Sequence, residues 1–311
     1  NLFFVILSLG AAMQIVFLGT GGSWPSKDRN VSAVAVRIGR DVLLFDCGEG
    51  TQRQLMSSNV SFMKINRILI SHFHGDHFLG LPGLIQSMSF NNRKNPLEIY
   101  GPHGTVKLVN IIINLGYFTP TFDFVVKDLK DNDTVKCDGY IIKAKTAEHN
   151  VPTLAYAVEE NTRQGRFNVK KAKKLGIPEG PLFRKLQKGE NIMVNGEKVT
   201  PDMVLGKSRK GKKIVYIPDT KPSEAIADFA KGSNVLIHDA TADSSLEKKA
   251  NRYGHSSARQ AAVTAEKAGV KLLFLTHISP RYKDATILEK DARKVFPNSI
   301  VAEDFLVYDV K

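Results

Sequence analysis

Short runs of β-branched and aromatic residues alternate along the chain with amphipathic stretches, the pattern of a layered α/β architecture. Strands are predicted over residues 13–18, 32–38, 41–46, 65–70, 214–218, 235–238 and 271–276, and helices over 50–57, 79–90, 103–115, 257–268 and 284–295. Three apolar runs each end on a residue with metal-ligating chemistry. Ile68-Leu69-Ile70 runs into Ser71-His72, Val215-Tyr216-Ile217 into Pro218-Asp219, and Leu272 to Leu275 into Thr276-His277. Loops leaving the end of a packed sheet can aim several side chains into one cavity while the sheet holds them rigid.

At 311 residues the chain can bury a large core, and one α/β domain is the simplest organisation. No fixed-period repeat is visible, which excludes solenoids and propellers. Residues 1–12, NLFFVILSLGAA, are apolar but too short to span a bilayer and lack a basic leader. They are set aside as an extension or misplaced start, leaving 13–311 as the domain. Cys47 and Cys137 lie far apart and outside any CxxC pattern, so unpaired thiols in a cytoplasmic protein are expected, with no membrane association.

Charge breaks the rhythm of the chain. Of a net charge of +13, an excess of 11 falls between Asn161 and Lys213, where fifteen basic residues face four acidic ones. The stretch from about 160 to 206 also carries GIPEGP turn chemistry and little periodic apolar signal. It is expected to be an inserted basic arm with too few apolar residues for a core of its own. So concentrated a positive field attracts polyanions, nucleic acid foremost.

The densest chemistry is SHFHGDHFLGLPG, in which His72, His74, Asp76 and His77 offer three imidazoles and a carboxylate within six positions. That donor set suits zinc or a similar borderline metal. A tight loop would let His72 and His74 serve one ion while Asp76 and His77 face a second, with further ligands from His149 in TAEHNVP, Asp219 in YIPDTKP and His277 in FLTHISP. Paired ions make water nucleophilic near neutral pH and neutralise charge on the attacked centre, which implies hydrolysis of a phosphodiester or acyl bond. Asp76 would orient or deprotonate the attacking water, and a separate acid would protonate the leaving oxygen.

These motifs resemble the signature of the metallo-β-lactamase superfamily across essentially all of 13–311, which implies a four-layer αββα sandwich with two metals along its edge. By that resemblance His72, His74 and His149 hold one zinc, Asp76, His77 and His277 the other, and Asp219 bridges them; manganese could replace zinc. Within the superfamily the chain is similar to the ribonuclease Z family, the endonucleases that cut the 3′ trailer from precursor tRNA. PSKDRN, residues 25–30, resembles the family's PxKxRN loop near the cleavage site, and makes Lys27 and Arg29 expected phosphate contacts. RFNVKKAKKLGIPEGPLF, residues 166–183, resembles the flexible arm that clasps the tRNA, with Arg166, Lys170, Lys171, Lys173, Lys174, Gly180 and Pro181 as binding residues.

HDAT, residues 238–241, resembles the HEAT loop with aspartate in place of glutamate, and GHSSA, residues 254–258, resembles the GHST loop. His255 is then the expected general acid, tuned by Asp239, and structural roles are expected for His103 and His238. The family also implies a homodimer. The rival assignment is a small-molecule phosphodiesterase or lactonase-type hydrolase on the same fold, which would not need the basic insertion.

Overall fold

A computed structural model describes residues 13–162 and 164–311; the apolar segment 1–12 lies outside the described residues. The chain forms two compact units, one reaching to Val158 and resuming over Lys212–Lys311, the other Glu159–Gly211.

The larger unit contains two seven-stranded sheets. In the first the order is β16-β1-β2-β3-β4-β5-β6, built from β1 (Gln14–Gly19), β2 (Ala33–Ile38), β3 (Asp41–Phe45), β4 (Ile65–Leu69), β5 (Leu97–Gly101), β6 (Phe124–Asp128) and β16 (Val307–Asp309). In the second the order is β15-β14-β13-β12-β9-β8-β7, from β7 (Thr134–Cys137), β8 (Tyr140–Thr146), β9 (Leu154–Glu160), β12 (Lys213–Ile217), β13 (Val235–Asp239), β14 (Leu273–Thr276) and β15 (Ser299–Val301).

Both faces of each sheet are covered, and the two-residue period of a strand explains how. In β1, Ile15 and Phe17 enter the core between the sheets, whereas Val16 and Leu18 enter an outer core. In β12, Ile214 and Tyr216 face the inner core, and Val215 and Ile217 face outward. The parallel register sets Ile214 beside Val235 and Tyr216 beside Ile237, so the inner face continues into β13.

The outer faces are sealed by helices. α3 (Leu81–Phe90) and α4 (Thr105–Ile113), with α1 (Thr51–Ser57), cover the first sheet through residues such as Leu55, Leu84, Met88 and Val109. α8 (Glu224–Ala230), α10 (Ala258–Ala268) and α11 (Thr286–Arg293) cover the second through Ile226, an alanine stripe including Ala261 and Ala265, and Leu288. This is the αββα layering expected from the sequence. Two short helices, α2 (Gly75–Phe78) and α9 (Glu247–Arg252), sit in connections.

One partly exposed polar pin bridges the two sheets. Arg67 on β4 bonds Glu98 through two nitrogens at 2.9 Å and Asp41 at 2.6 Å, and donates at 2.8 Å to the Tyr140 hydroxyl of β8. Arg67 thereby ties the first sheet to the second.

The Glu159–Gly211 unit departs from expectation. It holds α5 (Val169–Lys174), α6 (Pro181–Gln187), the hairpin β10 (Ile192–Val194) to β11 (Glu197–Val199), and α7 (Pro201–Val204). Ala172, Ile177, Leu186, Ile192, Val194, Val199 and Val204 form a small core lined by Phe167, Leu175, Leu182 and Phe183. The expectation of no separate core is corrected: the hairpin and α7 add four apolar side chains, Ile192, Val194, Val199 and Val204, to those of α5, α6 and the turn between them. Arg166, Lys170, Lys171, Lys173, Lys174, Gly180 and Pro181 are all exposed.

Candidate metal centre

The chemistry gathers where parallel strands end. Asp46 follows β3, His72 follows β4, Asp219 follows β12, Asp239 closes β13 and His277 follows β14, while His149 comes from the loop after β8. The ligating atoms of His72, His74, His149 and Asp219 lie within 4.8 Å of one another, as do those of Asp76, His77 and His277. Asp219 stands between the sets. Its Oδ2 is 3.7 Å from His72 Nε2 and 3.9 Å from His149 Nε2, and its Oδ1 is 3.5 Å from His77 Nε2 and 3.2 Å from His277 Nε2.

Four of the histidines have their outer nitrogen committed elsewhere, which fixes which lone pair faces the centre. His77 Nδ1 donates to Asp46 Oδ2 at 2.8 Å. His149 Nδ1 donates to the Gly254 carbonyl at 2.8 Å. Ser71 Oγ donates to Asp46 and sits 3.1 Å from His72 Nδ1; Thr241 Oγ1 donates to Asp239 and sits 2.9 Å from His277 Nδ1. Nε2 is therefore the inward atom of four histidines. His74 is the exception and presents Nδ1, 3.1 Å from His72 Nε2 and 3.2 Å from His149 Nε2.

The fit to a cation can be tested on the polar atoms. His77 Nε2 and Asp219 Oδ1 are buried with no hydrogen-bond partner among the described residues. Two unsatisfied acceptors converging on one space are costly unless a cation lies between them. The backbone is shaped around the same groups. A Cβ on Gly22 would come within 2.5 Å of the His277 ring, and one on Gly254 within 2.4 Å of His149 Nδ1. Asp46 and His277 are non-glycine residues at positive φ, 56° and 58°, strain of the kind that gathers at functional sites.

Electrostatics follow from the crowding. Burial opposes charge on His277, but Asp219 and bonds to Asp239 and Asp76 hold its pKa well above the ordinary value. His72 goes the other way, lowered by burial and by neighbouring histidines. Asp219 is fully buried, yet His277, His77 and His255 keep its carboxyl ionised.

His255 lies beside the centre, with Nδ1 3.3 Å from Asp239 Oδ2 and 3.7 Å from Asp219 Oδ2. Burial works against its protonated form, and the two carboxylates outweigh burial and raise its pKa. Asp239, despite being one carbon shorter than glutamate, reaches His255 while accepting from the Ser256 and Thr241 amides at 3.0 Å each. Asp76 Oδ2 is 3.2 Å from His277 Nε2 and accepts from the Ser23 amide at 2.6 Å.

Sequence inspection overlooked Asp46. This fully buried carboxylate also accepts from the Tyr216 hydroxyl at 2.7 Å and the Ser71 amide at 2.6 Å. The available signal was the one that exposed Asp219: an acidic residue directly after an apolar strand.

The PSKDRN loop borders a cavity of about 580 Å³. Lys27 is exposed there. Arg29 is not equivalent: it is half-buried, with Nη1 donating to Thr20 Oγ1 at 2.6 Å and the Ala302 carbonyl at 2.5 Å. Arg29 thus holds the loop through this nitrogen, at a position where the sequence made it, with Lys27, an expected phosphate contact. His103 is exposed and His238 buried, both away from the ligand sets.

A family model described as beta-lactamase superfamily domain matches residues 196–278, and one described as Anti-Pycsar protein Apyc1 matches residues 13–116. Ribonuclease Z of Methanosarcina acetivorans is 47% identical over 96% of this chain and 98% of its own length. Ribonuclease Z of Thermoplasma volcanium is 48% identical over 97% and 99%. Among solved structures, human tRNase Z, short form, superposes with a TM-score of 0.71 at 29% identity, covering 96% of this chain and 99% of its own. With this identity sustained over nearly the full length, and the strand-end cluster of histidines and aspartates intact, the chain belongs to the ribonuclease Z family on the metallo-β-lactamase fold.

Proposed function

We propose that this endoribonuclease cuts precursor tRNA after the discriminator base, leaving a 3′-hydroxyl on the tRNA and a 5′-phosphate on the trailer, with two zinc ions in each subunit. The observation that carries the metal reading is Asp219, whose two oxygens each face a different histidine set. His72, His74 and His149 would hold one ion, and Asp76, His77 and His277 the other, with Asp219 between. Ions there would supply an activated water and neutralise charge on the phosphodiester.

The chain's own residues supply the rest. Asp76, fixed by the Ser23 amide and facing His277, orients the attacking water and accepts its proton. His255 points Nδ1 at Asp239, which leaves Nε2 to protonate the departing 3′-oxygen. Asp239 holds that ring and, through Thr241, the His277 ring as well. Lys27 meets backbone phosphate at the cut, and Arg29 keeps the loop in shape.

The Glu159–Gly211 unit is the tRNA-binding arm in this account, and the exposed Arg166, Lys170, Lys171, Lys173 and Lys174, with the Gly180-Pro181 turn, contact the substrate backbone. A homodimer is supported by apolar side chains left exposed around α3 and α4, namely Phe90, Ile111, Leu115 and Tyr117. The compartment in this reading is the cytoplasm. Among the described residues no helix is long and apolar enough to cross a membrane.

Metal analysis tests the site. The account expects two zinc ions per chain and loss of both on Asp219→Ala. One ion per chain, or full retention by the variant, would overturn the shared-ligand arrangement.

A further inference from the structure

Trp24 is the only tryptophan in the sequence, and 62% of it is exposed to solvent. A large apolar ring left open costs solvation that a buried position would recover, so its place in the chain calls for a partner. The backbone leading to it is locked to the metal centre. Gly22 packs on the His277 ring, and its amide bonds the Ile278 carbonyl at 3.1 Å. Ser23, at a positive φ of 69°, donates its amide to Asp76 Oδ2. Trp24 follows one residue later, its own amide bonded to the Gly22 carbonyl at 2.9 Å, and Pro25 restricts its backbone to extended conformations.

A residue adjoining one whose amide holds a catalytic carboxylate has its Cα about 4 Å further along the chain. Its ring, open to solvent, is free to meet RNA that approaches that carboxylate. Past Pro25, the same loop borders the 580 Å³ cavity, whose lining mixes the cations Lys27 and Arg53 and the Phe305 ring with the carboxylates Asp28, Glu49 and Asp304. Unpaired bases are recognised by stacking on exposed aromatic rings, because every base offers a π-face and single-stranded segments leave that face open.

We propose that the Trp24 indole is a stacking platform for the nucleobase adjoining the scissile phosphodiester, a specificity-determining contact that sets the strand in register with the metal centre. It rests on the endoribonuclease assignment and adds to it a residue that positions single-stranded RNA by its ring face. Proline, isoleucine or any aliphatic side chain at this place would fill space without offering that face.

The test pairs protein and substrate changes. Precursor tRNAs are made with an abasic nucleotide on either side of the cut, and kcat/KM is measured for the unaltered enzyme, Trp24→Ala and Trp24→Phe. Cleavage of the unmodified precursor by the unaltered enzyme checks the assignment on which the proposal rests. Removing the stacked base should cost the unaltered enzyme roughly tenfold, Trp24→Ala should lose a similar factor on the intact substrate, and the two losses should not add. Trp24→Phe should recover most of the rate. Because the chain has one tryptophan, its fluorescence on 295 nm excitation reports the contact without any substitution. Intact substrate should quench it, and substrate lacking the stacked base should not. Equal losses that multiply, or quenching indifferent to both abasic sites, would overturn the proposal.

Discussion

The metal centre and the Glu159–Gly211 unit solve opposite problems with the same chain. At the centre most of the ionisable groups are tethered: four histidines have their outer nitrogens occupied, Asp46 and Asp239 accept several bonds each, and most of the ligands follow strand ends. In the basic unit the core is a few small and medium side chains, and the cations stand in solvent on α5 and its flanks. Chemistry demands fixed distances, which a rigid double sheet supplies. Recognition of a phosphate backbone demands charge density and tolerates imprecise geometry.

Substitutions can break that contrast. The largest effect is expected for Asp76→Ala, which should cut turnover by roughly a thousandfold or more while sparing most tRNA affinity, as filter binding beside single-turnover kinetics would reveal. Equal loss of both would place Asp76 in recognition. Changing Lys170, Lys171, Lys173 and Lys174 to Gln should do the reverse, raising KM for precursor tRNA with little change in kcat. It should also flatten the dependence of log affinity on log salt by roughly 0.7 to 0.9 for each phosphate that the arm no longer neutralises. An unchanged salt slope would remove those lysines from the interface.

A smaller effect is expected at Asp46. Asp46→Asn should weaken metal affinity by roughly ten- to a hundredfold, measured by chelator competition, because the neutral amide keeps one acceptor oxygen where the carboxylate offers two to His77, Tyr216 and Ser71, and no longer holds the His77 ring by charge. Unaltered affinity would reduce Asp46 to a packing role. Arg67→Ala should lower unfolding stability by about 2 kcal/mol in denaturant titration, through loss of charged bonds to Asp41 and Glu98, with metal content and kcat unaffected. Any effect of Arg67→Ala on catalysis would show that the inter-sheet pin transmits to the centre.

Much of this was legible in the sequence because the site residues sit where apolar strands stop, and strands buried on both faces give unbroken hydrophobic runs. The expected strands 65–70 and 271–276 coincide with β4 and β14 to within two residues. The middle of the chain was not legible, for identifiable reasons. β6 and β7 lie at sheet edges with alternating half-buried and exposed residues, so lysines interrupt their apolar pattern. β9, LAYAVEE, is buried along nearly all its length but leans on alanine, which has no preference for strands. β15 and β16 have three residues each and leave almost no periodic signal.

The β10–β11 hairpin does carry a sequence signal: Asn195-Gly196 between Val194 and Glu197, with both turn residues at positive φ, is favoured chemistry for a two-residue turn. Arg29 illustrates a different limit. Its neighbours Thr20, Ala302 and Asp304 are remote in sequence or invisible as partners until the chain is folded, so a guanidinium that braces a loop looks the same on paper as one that greets a substrate.

The central claim is the reaction itself, and its most direct test is cleavage of a precursor tRNA transcript by the purified, zinc-loaded protein with both new ends mapped. The account predicts a single cut after the discriminator base, a 3′-hydroxyl on the tRNA and a 5′-phosphate on the trailer. A 5′-hydroxyl on the trailer, cuts scattered along the RNA, or no cleavage while a small phosphodiester is still hydrolysed would contradict it.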